Sequence, residues 1–219
     1  MELSSEEKKV LSGITFHSEE VEKGELCDED KELLSELRAV KAYLTDKYKD
    51  YNFEVTGCEP KAGTARDYNE WYYKAEGVDR ASAFIAMVWD KDGAFDIRDD
   101  FYGETIKEGA SDAVKKLLGY GGFPVAEVNV SFWEYFGKEL GQDLDPALVL
   151  RGDVHAGNDI KIFLDGSRLP SGSYENEIGK LETSLKEAGI KGDVYVVVLK
   201  NAEGDPVMDR LYSDSFELS

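Results

Sequence analysis

The stretch FIAMVWDKDGAFDIR, residues 84–98, holds two strand-like segments on either side of an Asp-Gly pair. The first segment is apolar on both faces as far as Trp89, which is typical of a central strand. The second alternates between apolar and polar residues, which indicates a strand with one buried face. Because Asp-Gly is a strong signal for a tight turn between antiparallel strands, the stretch predicts a β-hairpin with its turn at residues 90–93.

Five aspartates crowd this region and raise the question of a calcium site: Asp90, Asp92, Asp96, Asp99 and Asp100. An EF-hand loop needs oxygen ligands at its first, third and fifth positions and a glycine at its sixth. Counted from Asp90, the glycine comes at the fourth position and an alanine at the fifth. The ligand spacing therefore does not fit, and we interpret the segment as a turn.

Helix and strand patterns surround the hairpin. Apolar residues at three- and four-residue spacing predict one amphipathic helix that begins near a capping Asp28 or Asp30, and another that ends at Gly119. The two stripes are formed by Leu33, Leu37, Val40, Leu44 and Tyr48 and by Ile106, Ala110, Ala113, Val114 and Leu117. Alternating residues predict strands at 51–55 and 71–75.

The second half of the chain follows the helix-breaking sequence GYGGFP, residues 119–124, which we predict to be a boundary. Its predicted elements are, in order, a strand at 125–132, short helices at 133–140 and 145–150, a strand at 159–164, a long helix at 178–188, and strands at 193–200 and 209–218, the last at a sheet edge.

These patterns predict an α+β fold, with a mainly antiparallel sheet and long amphipathic helices packed on it, organised as two small α+β subdomains. We expect a polar acidic arm, extended or mobile, at residues 1–29. We expect a module of a helix, four strands and a helix at 30–120, and a second module at 121–219.

The charge of the chain limits its partners. The formal net charge is −20 over 219 residues, which argues against binding nucleic acid through phosphates or docking on anionic lipid. An acidic surface attracts a basic protein or a cation, although acidity also serves solubility alone. No apolar run approaches the roughly 20 residues of a membrane span, so we predict no transmembrane segment.

The aromatic segment DYNEWYY, residues 67–73, contains the candidate binding residues. Strand alternation places Trp71 and Tyr73 on a buried face and leaves Tyr68 and Tyr72 as surface aromatics. Exposed aromatic rings suit a patch that binds sugar or peptide. The sequence therefore predicts a ligand patch at Tyr68 and Tyr72, with a protein or a glycan as partner.

The two histidines carry a weaker signal. His155 lies close in sequence to Asp153 and Asp159, and these are donor types of a metal site or an acid–base pair. The same segment, GDVHAGND, is equally typical of a polar loop. His17 lies in the predicted arm.

The two cysteines, Cys27 and Cys58, show no CxxC or Cys-His spacing. They either form one disulfide or remain free thiols. No nucleophile elbow or phosphate-binding loop is present in the sequence. We therefore predict no catalytic, cofactor-binding or metal-binding residues, and we favour a protein that is not an enzyme.

Three segments carry a resemblance: VKAYLTDKYKDYNFEVTG at 40–57, WYYKAEG at 71–77 and FIAMVWDKDGAFDIRDDFYG at 84–103. Over residues 30–120 the chain resembles uncharacterised α+β domains of secreted or lipoprotein-type proteins from low-GC Gram-positive bacteria. The resemblance implies an extracytoplasmic location with a signal peptide removed. The N-terminus shows no signal peptide or lipobox cysteine, which taken literally indicates the cytoplasm instead.

Three functional hypotheses follow from these observations. The first is a non-enzymatic extracytoplasmic or surface-associated module that binds a protein or glycan or serves as a structural part of the envelope. The second is an acidic cytoplasmic inhibitor, such as an immunity protein, that neutralises a basic protein. The third is a hydrolase whose site is assembled from residues distant in sequence.

Overall fold

The computed structural model of this protein describes residues 2–91 and 93–219. The helices are α1 (Ser5–Ile14), α2 (Ser18–Lys23), α3 (Asp28–Lys47), α4 (Tyr102–Tyr120), α5 (Pro146–Leu150), α6 (Tyr174–Glu187) and a 3-10 helix at Gly166–Arg168. The strands are β1 (Phe53–Glu59), β2 (Asn69–Ala75), β3 (Phe84–Lys91), β4 (Ala94–Asp99), β5 (Val125–Phe132), β6 (Asn158–Asp165), β7 (Gly192–Leu199) and β8 (Arg210–Leu218). The fold is α+β, which confirms the predicted class.

The chain divides into two compact units. The first comprises the residues up to Tyr102 together with Tyr135–Gln142, and the second comprises Gly103–Glu134 with Asp143–Ser219. The predicted boundary at 119–124 differs from this division, because nearly all of α4 belongs to the second unit. The helix ends at Tyr120, within the glycine-rich stretch as the sequence indicates, but the division between units falls after its first residue, Tyr102.

The first unit contains an antiparallel sheet with the strand order β1-β2-β3-β4. Strands β3 and β4 pair in the register Asp90 with Phe95 and Lys91 with Ala94, which confirms the predicted hairpin. The Asp90 carboxylate accepts a hydrogen bond from the Gly93 backbone at 3.2 Å. Asp92, which the sequence places in the turn, lies outside the described residues.

One face of this sheet forms the core of the first unit with α3. Trp71, Tyr73 and Phe84 point to that side and are fully or almost fully buried, as are Leu37 and Leu44 of the helix. The helix begins after Cys27, whose side chain accepts a hydrogen bond from the backbone of the third helical residue. The predicted Asp28 and Asp30 caps are therefore incorrect, and both aspartates lie in the first turn.

The described part of the predicted arm at 1–29, residues 2–29, is not the extended or mobile polar segment that we expected. They fold into α1 and α2, and Leu11 and Val21 are fully buried against Leu34 of α3. A capping box starts α1: the Ser4 side chain accepts from the Glu7 backbone, and the Glu7 carboxylate accepts from the Ser4 backbone. Leu3, Ile14 and Leu26 pack into or against the same small core, whereas Phe16 is fully exposed.

Residues 133–140 do not form the predicted short helix. Phe136 instead makes an isolated antiparallel bridge with Asp99, with backbone hydrogen bonds of 3.0 and 3.1 Å in the two directions. Residues 138–142, which follow, contact the end of α3 and the loop after it. Lys138 pairs with Asp46 at 2.5 Å, and the Gln142 amide donates a hydrogen bond to Asp50 at 3.0 Å. Pairing with a distant strand has overridden the local helical preference here.

The second unit contains a sheet with the order β5-β6-β7-β8, in which β6 and β7 are parallel and the outer pairs are antiparallel. Helix α6 connects the two parallel strands, which need a long crossover. Strand β8 lies at the edge, as predicted. Helix α5 starts with Asp145 as its cap and Pro146 in its first turn, which also agrees with the sequence.

The core of the second unit lies between its sheet and the apolar faces of α4 and α6. Its fully buried side chains include Val114, Leu118, Ile160, Ile162, Leu164, Leu181, Leu185 and Val196. The buried face of α4 includes Leu118, which was not predicted, whereas Ala113, which was predicted to lie on that face, is exposed. Among the helices of the described chain, none combines the length and the apolar character needed to cross a membrane.

Candidate functional site

The outer face of the first sheet carries the residues that the sequence marks for binding. Strand alternation sends Trp71 and Tyr73 into the core, where both are fully buried, and this confirms their predicted structural role. Tyr72 points the opposite way and is half-buried, and Tyr68, which immediately precedes β2, is half-buried as well.

The strand register brings further apolar residues to the same side. Tyr72 pairs with Ile85, and Glu70 pairs with Met87, whose partner on β4 is Arg98. We define the aromatic face as the half-buried residues on this side of the sheet: Tyr68, Tyr72, Ile85, Met87 and Trp89. Ile85, Met87 and Trp89 were not predicted to face outward, because an unbroken apolar run does not show which of its residues do so.

The two central rings of the aromatic face hold each other in place. The Tyr68 and Trp89 rings have centroids 4.8 Å apart with an interplanar angle of 51°. The Trp89 indole N–H donates a hydrogen bond to Asp67 at 2.9 Å. Arg66 lies over the Tyr68 ring at 5.7 Å, and Arg98 lies over the Trp89 ring at 5.6 Å. These contacts limit ring rotation, so a ligand that binds here loses little side-chain entropy.

Carboxylates border the aromatic face on the β1 side. The Tyr72 hydroxyl donates its proton to Glu59 at 3.0 Å, and a Glu70 carboxylate oxygen lies 3.3 Å from the same hydroxyl. Arg66 pairs with Glu70 at 2.6 Å and with Glu59 at 3.3 Å. Burial, together with the hydrogen bond to Glu59, raises the pKa of Tyr72 to about 12. Tyr72 is therefore a neutral hydroxyl donor over the whole physiological pH range.

His155 occupies a different place, at an open cavity of about 460 Å³ in the second unit. Trp133, which is 55% exposed, and Asn158 line the same cavity. Asp153 pairs with Arg151 at 3.3 Å, and the donor atoms of His155, Asp153 and Asp159 do not converge to within reach of one ion. The structure therefore does not bring these three predicted candidates together.

The two cysteines are both free thiols. Cys58 lies on β1, where burial, followed by the charge of Glu36, raises the pKa of its thiol far above the ordinary value. Such a thiol stays protonated and unreactive. The pKa of the Cys27 thiol, at the start of α3, is also raised, because the hydrogen bond from the Asp30 backbone N–H lowers it but the Asp30 carboxylate and desolvation together raise it by more.

Cys27 belongs to a group of donor side chains that sequence spacing did not reveal. The His17 Nδ1 atom lies 3.7 Å from Cys27 Sγ and 3.6 Å from Asp30 Oδ2. Among the described residues, this is where histidine, cysteine and carboxylate donors come within 4.8 Å of one another. The ten-residue spacing of His17 and Cys27 matches no metal motif, and helix α2 with the turn after it brings the two residues together.

Comparison with known proteins adds little. No protein family matches the chain, and no curated protein matches it. Among solved structures, the chain is similar to the crystal structure of a DUF5037 family protein from Ruminococcus gnavus ATCC 29149, with 12% identity, 74% of each chain covered and a TM-score of 0.38. A similarity this distant carries no argument about the fold or the function.

Proposed function

We propose that this protein is a non-enzymatic, surface-associated binding module outside the cytoplasm, and that its aromatic face binds a basic protein partner. The observation that carries the proposal is the fixed pair of half-buried rings, Tyr68 and Trp89, on the outer side of the first sheet. The sequence resemblance supports the extracytoplasmic part of the proposal.

The composition of the aromatic face favours a protein partner. Tyrosine, tryptophan, methionine and arginine are the residue types enriched in protein interfaces, and tryptophan, tyrosine and arginine are frequent hot spots. Here all four types lie on one sheet face, flanked by carboxylates that would form a polar rim. The net charge of −20 favours a basic partner, since complementary charge speeds association.

Binding experiments with matched variants test the proposal. We expect envelope extracts of the source cells to yield a basic protein that associates with wild type and dissociates as salt is raised. Trp89→Ala and Tyr68→Ala are expected to weaken that association by about 30-fold or more, the effect of losing a hot spot of roughly 2 kcal/mol. Tyr120→Ala, which truncates an 80% exposed ring in the second unit, is the control and is expected to bind like wild type.

Two other outcomes would replace the proposal with a different function. Binding to purified envelope glycans that is lost in Trp89→Ala, without a protein partner, would assign the aromatic face to carbohydrate. Protease treatment of intact cells that leaves the protein uncut, with a basic cytoplasmic toxin as its partner, would favour the acidic inhibitor.

A further inference from the structure

We propose that His17, Cys27 and Asp30 form a binding site for a divalent transition metal of the zinc class. His17 lies in the turn between α1 and α2, Cys27 caps α3, and Asp30 lies in the first turn of α3. Together they offer an imidazole nitrogen, a thiol sulfur and a carboxylate oxygen, and these are ligand types that zinc takes in proteins.

The distances between the donor atoms suit a shared ion. Zinc lies about 2.0–2.3 Å from nitrogen, oxygen and sulfur ligands in a tetrahedral site, so its ligands lie roughly 3.3–3.6 Å from one another. His17 Nδ1 is 3.7 Å from Cys27 Sγ and 3.6 Å from Asp30 Oδ2. All three donor atoms lie within 4.8 Å of one another, so side-chain adjustments would bring them to coordination distance.

Asp30 supplies an independent indication of a ligand. Its side chain is only 2% exposed, and its Oδ2 atom finds no hydrogen-bond donor among the residues that the structure describes. The other oxygen, Oδ1, accepts a hydrogen bond from the Thr15 hydroxyl at 2.7 Å. A buried carboxylate oxygen without a donor is costly, and a metal ion in front of it would remove that cost. Thr15 would then orient the ligand from behind.

Cys27 supplies the sulfur ligand from the start of α3. It caps this 20-residue helix, and its sulfur accepts a hydrogen bond from the Asp30 backbone N–H at 3.5 Å. The thiol would release its proton when a metal binds, because the thiolate is the form that coordinates metal. Cys58 is half-buried in β1 and lies outside this group of donor atoms.

Three protein ligands leave one tetrahedral position for water or an external ligand. Thr15, His17 and Asp30 line an open cavity of about 550 Å³. Acidic residues line the same cavity: Glu29, Glu32, Glu36 and Asp90. Their charge would draw cations into the cavity, and the thiolate would select zinc-class ions over calcium or magnesium.

Cobalt(II) and zinc(II) titrations of the reduced full-length chain test this proposal. We expect one cobalt ion per chain, with the near-ultraviolet absorption of a thiolate-to-cobalt charge transfer, displaced by zinc. Cys27→Ser and His17→Ala are expected to lose at least about 100-fold in affinity, and Thr15→Val about tenfold as an outer-shell change. Serine is itself a favoured N-cap residue, so Cys27→Ser keeps the helix start intact.

The chain provides its own controls, because it has two cysteines and two histidines. Cys58→Ser and His155→Ala are expected to bind cobalt like wild type, with unchanged circular dichroism in all variants. The proposal is overturned if wild type shows no stoichiometric binding, if the charge-transfer absorption survives in Cys27→Ser, or if the two control variants lose it equally.

Discussion

Asp99 shows how a single side chain organises the interior of the first unit. The residue is fully buried, and its Oδ2 atom accepts hydrogen bonds from the Tyr43 hydroxyl at 2.7 Å and the Lys47 ammonium at 2.6 Å. Its Oδ1 atom accepts from the Tyr48 hydroxyl at 2.7 Å and the Phe101 backbone at 2.8 Å. The Lys47 side chain is 1% exposed, so the two charges depend on each other for compensation. The sequence showed Asp99 only as one of five clustered aspartates.

Neutralising Asp99 is expected to destabilise the protein strongly. Asp99→Asn leaves the Lys47 cation buried without its counter-charge, and breaking a buried ion pair in this way costs about 3–5 kcal/mol. Urea unfolding followed by circular dichroism measures the loss. Asp46→Asn, which removes an exposed partner of Lys138, is the control and should leave the midpoint unchanged. A wild-type midpoint for Asp99→Asn would contradict the structural role of the pair.

The tyrosines around Asp99 predict a loss of stability in alkali. Burial first, and then the charge of Asp99, raise the pKa values of Tyr43, Tyr48 and Tyr73 far above the ordinary value. Above pH of about 10, tyrosines in the unfolded chain lose protons that the folded chain retains, so stability falls as pH rises. Burial lowers the pKa of Lys47, which acts in the opposite direction, but three tyrosines outweigh one lysine.

Urea midpoints measured from pH 8 to about 11 are the test of this pH dependence. The decline for wild type should be shallower in Tyr48→Phe, because one of the titrating groups is gone. Parallel curves for the two proteins would show that other residues cause the decline.

Among the elements, helices α1 and α2 form and pack although the composition of residues 1–29 is mainly polar. Residues 1–29 carry few apolar side chains, but a capping box starts α1 and the Glu7 carboxylate then pairs with Arg38 of α3 at 2.6 Å. The same hydrogen bond to Arg38 keeps the pKa of Glu7 below its usual value. Leu11 and Val21 complete the attachment by filling a small core. Two helices of this kind are stabilised by tertiary packing more than by their own propensity.

Truncating Leu11 distinguishes packed helices from an arm. Leu11→Ala removes a fully buried side chain and is expected to cost about 2–5 kcal/mol. Phe16→Ala, at a fully exposed position in the same segment, should change stability by less than about 0.5 kcal/mol. Thermal unfolding followed by circular dichroism compares the stabilities of the two variants. If both substitutions change stability by equally small amounts, residues 1–29 are an unpacked arm after all.

At the scale of the whole molecule, the chain builds each unit from non-contiguous stretches. The Tyr135–Gln142 segment follows a stretch of the second unit but belongs to the first unit. It brings the Phe136 carbonyl to Asp99 and Lys47. Lys47 donates to that carbonyl at 3.0 Å, and the Tyr43 hydroxyl, which donates to Asp99, lies 3.2 Å from it. The buried network of the first unit is therefore incomplete without this returning segment.

Replacing Tyr135–Gln142 with a Gly-Ser segment of equal length is expected to loosen the first unit selectively. Hydrogen exchange should speed up in α3 and β4, which lose backbone and side-chain partners, and stay slow in β6 and β7. A Gly-Ser replacement of residues 201–206, in the turn before β8, is the matched control. Equal acceleration in both sheets would contradict the assignment of this segment to the first unit.

Elements with local signals could be predicted from the sequence alone. The Asp-Gly hairpin, the stripes of α3, α4 and α6, the capped start of α5 and the burial of Trp71 and Tyr73 all follow from periodicity or turn chemistry, and these suffice for an α+β fold. Strand alternation also predicted that Tyr68 and Tyr72 lie outside the core. It did not predict the same of their partner Trp89, because the apolar run around it shows no alternation.

Contacts between residues distant in sequence could not be predicted and are visible in the folded chain alone. The Asp99 network joins α3, β4 and the segment at Phe136, and the group of His17, Cys27 and Asp30 is closed by the packing of two helices that the composition did not indicate. Contacts between residues far apart in sequence leave no periodic trace, since each partner alone is an ordinary polar residue. The physical reason is that packing, and not local preference, supplies most of the free energy that places them.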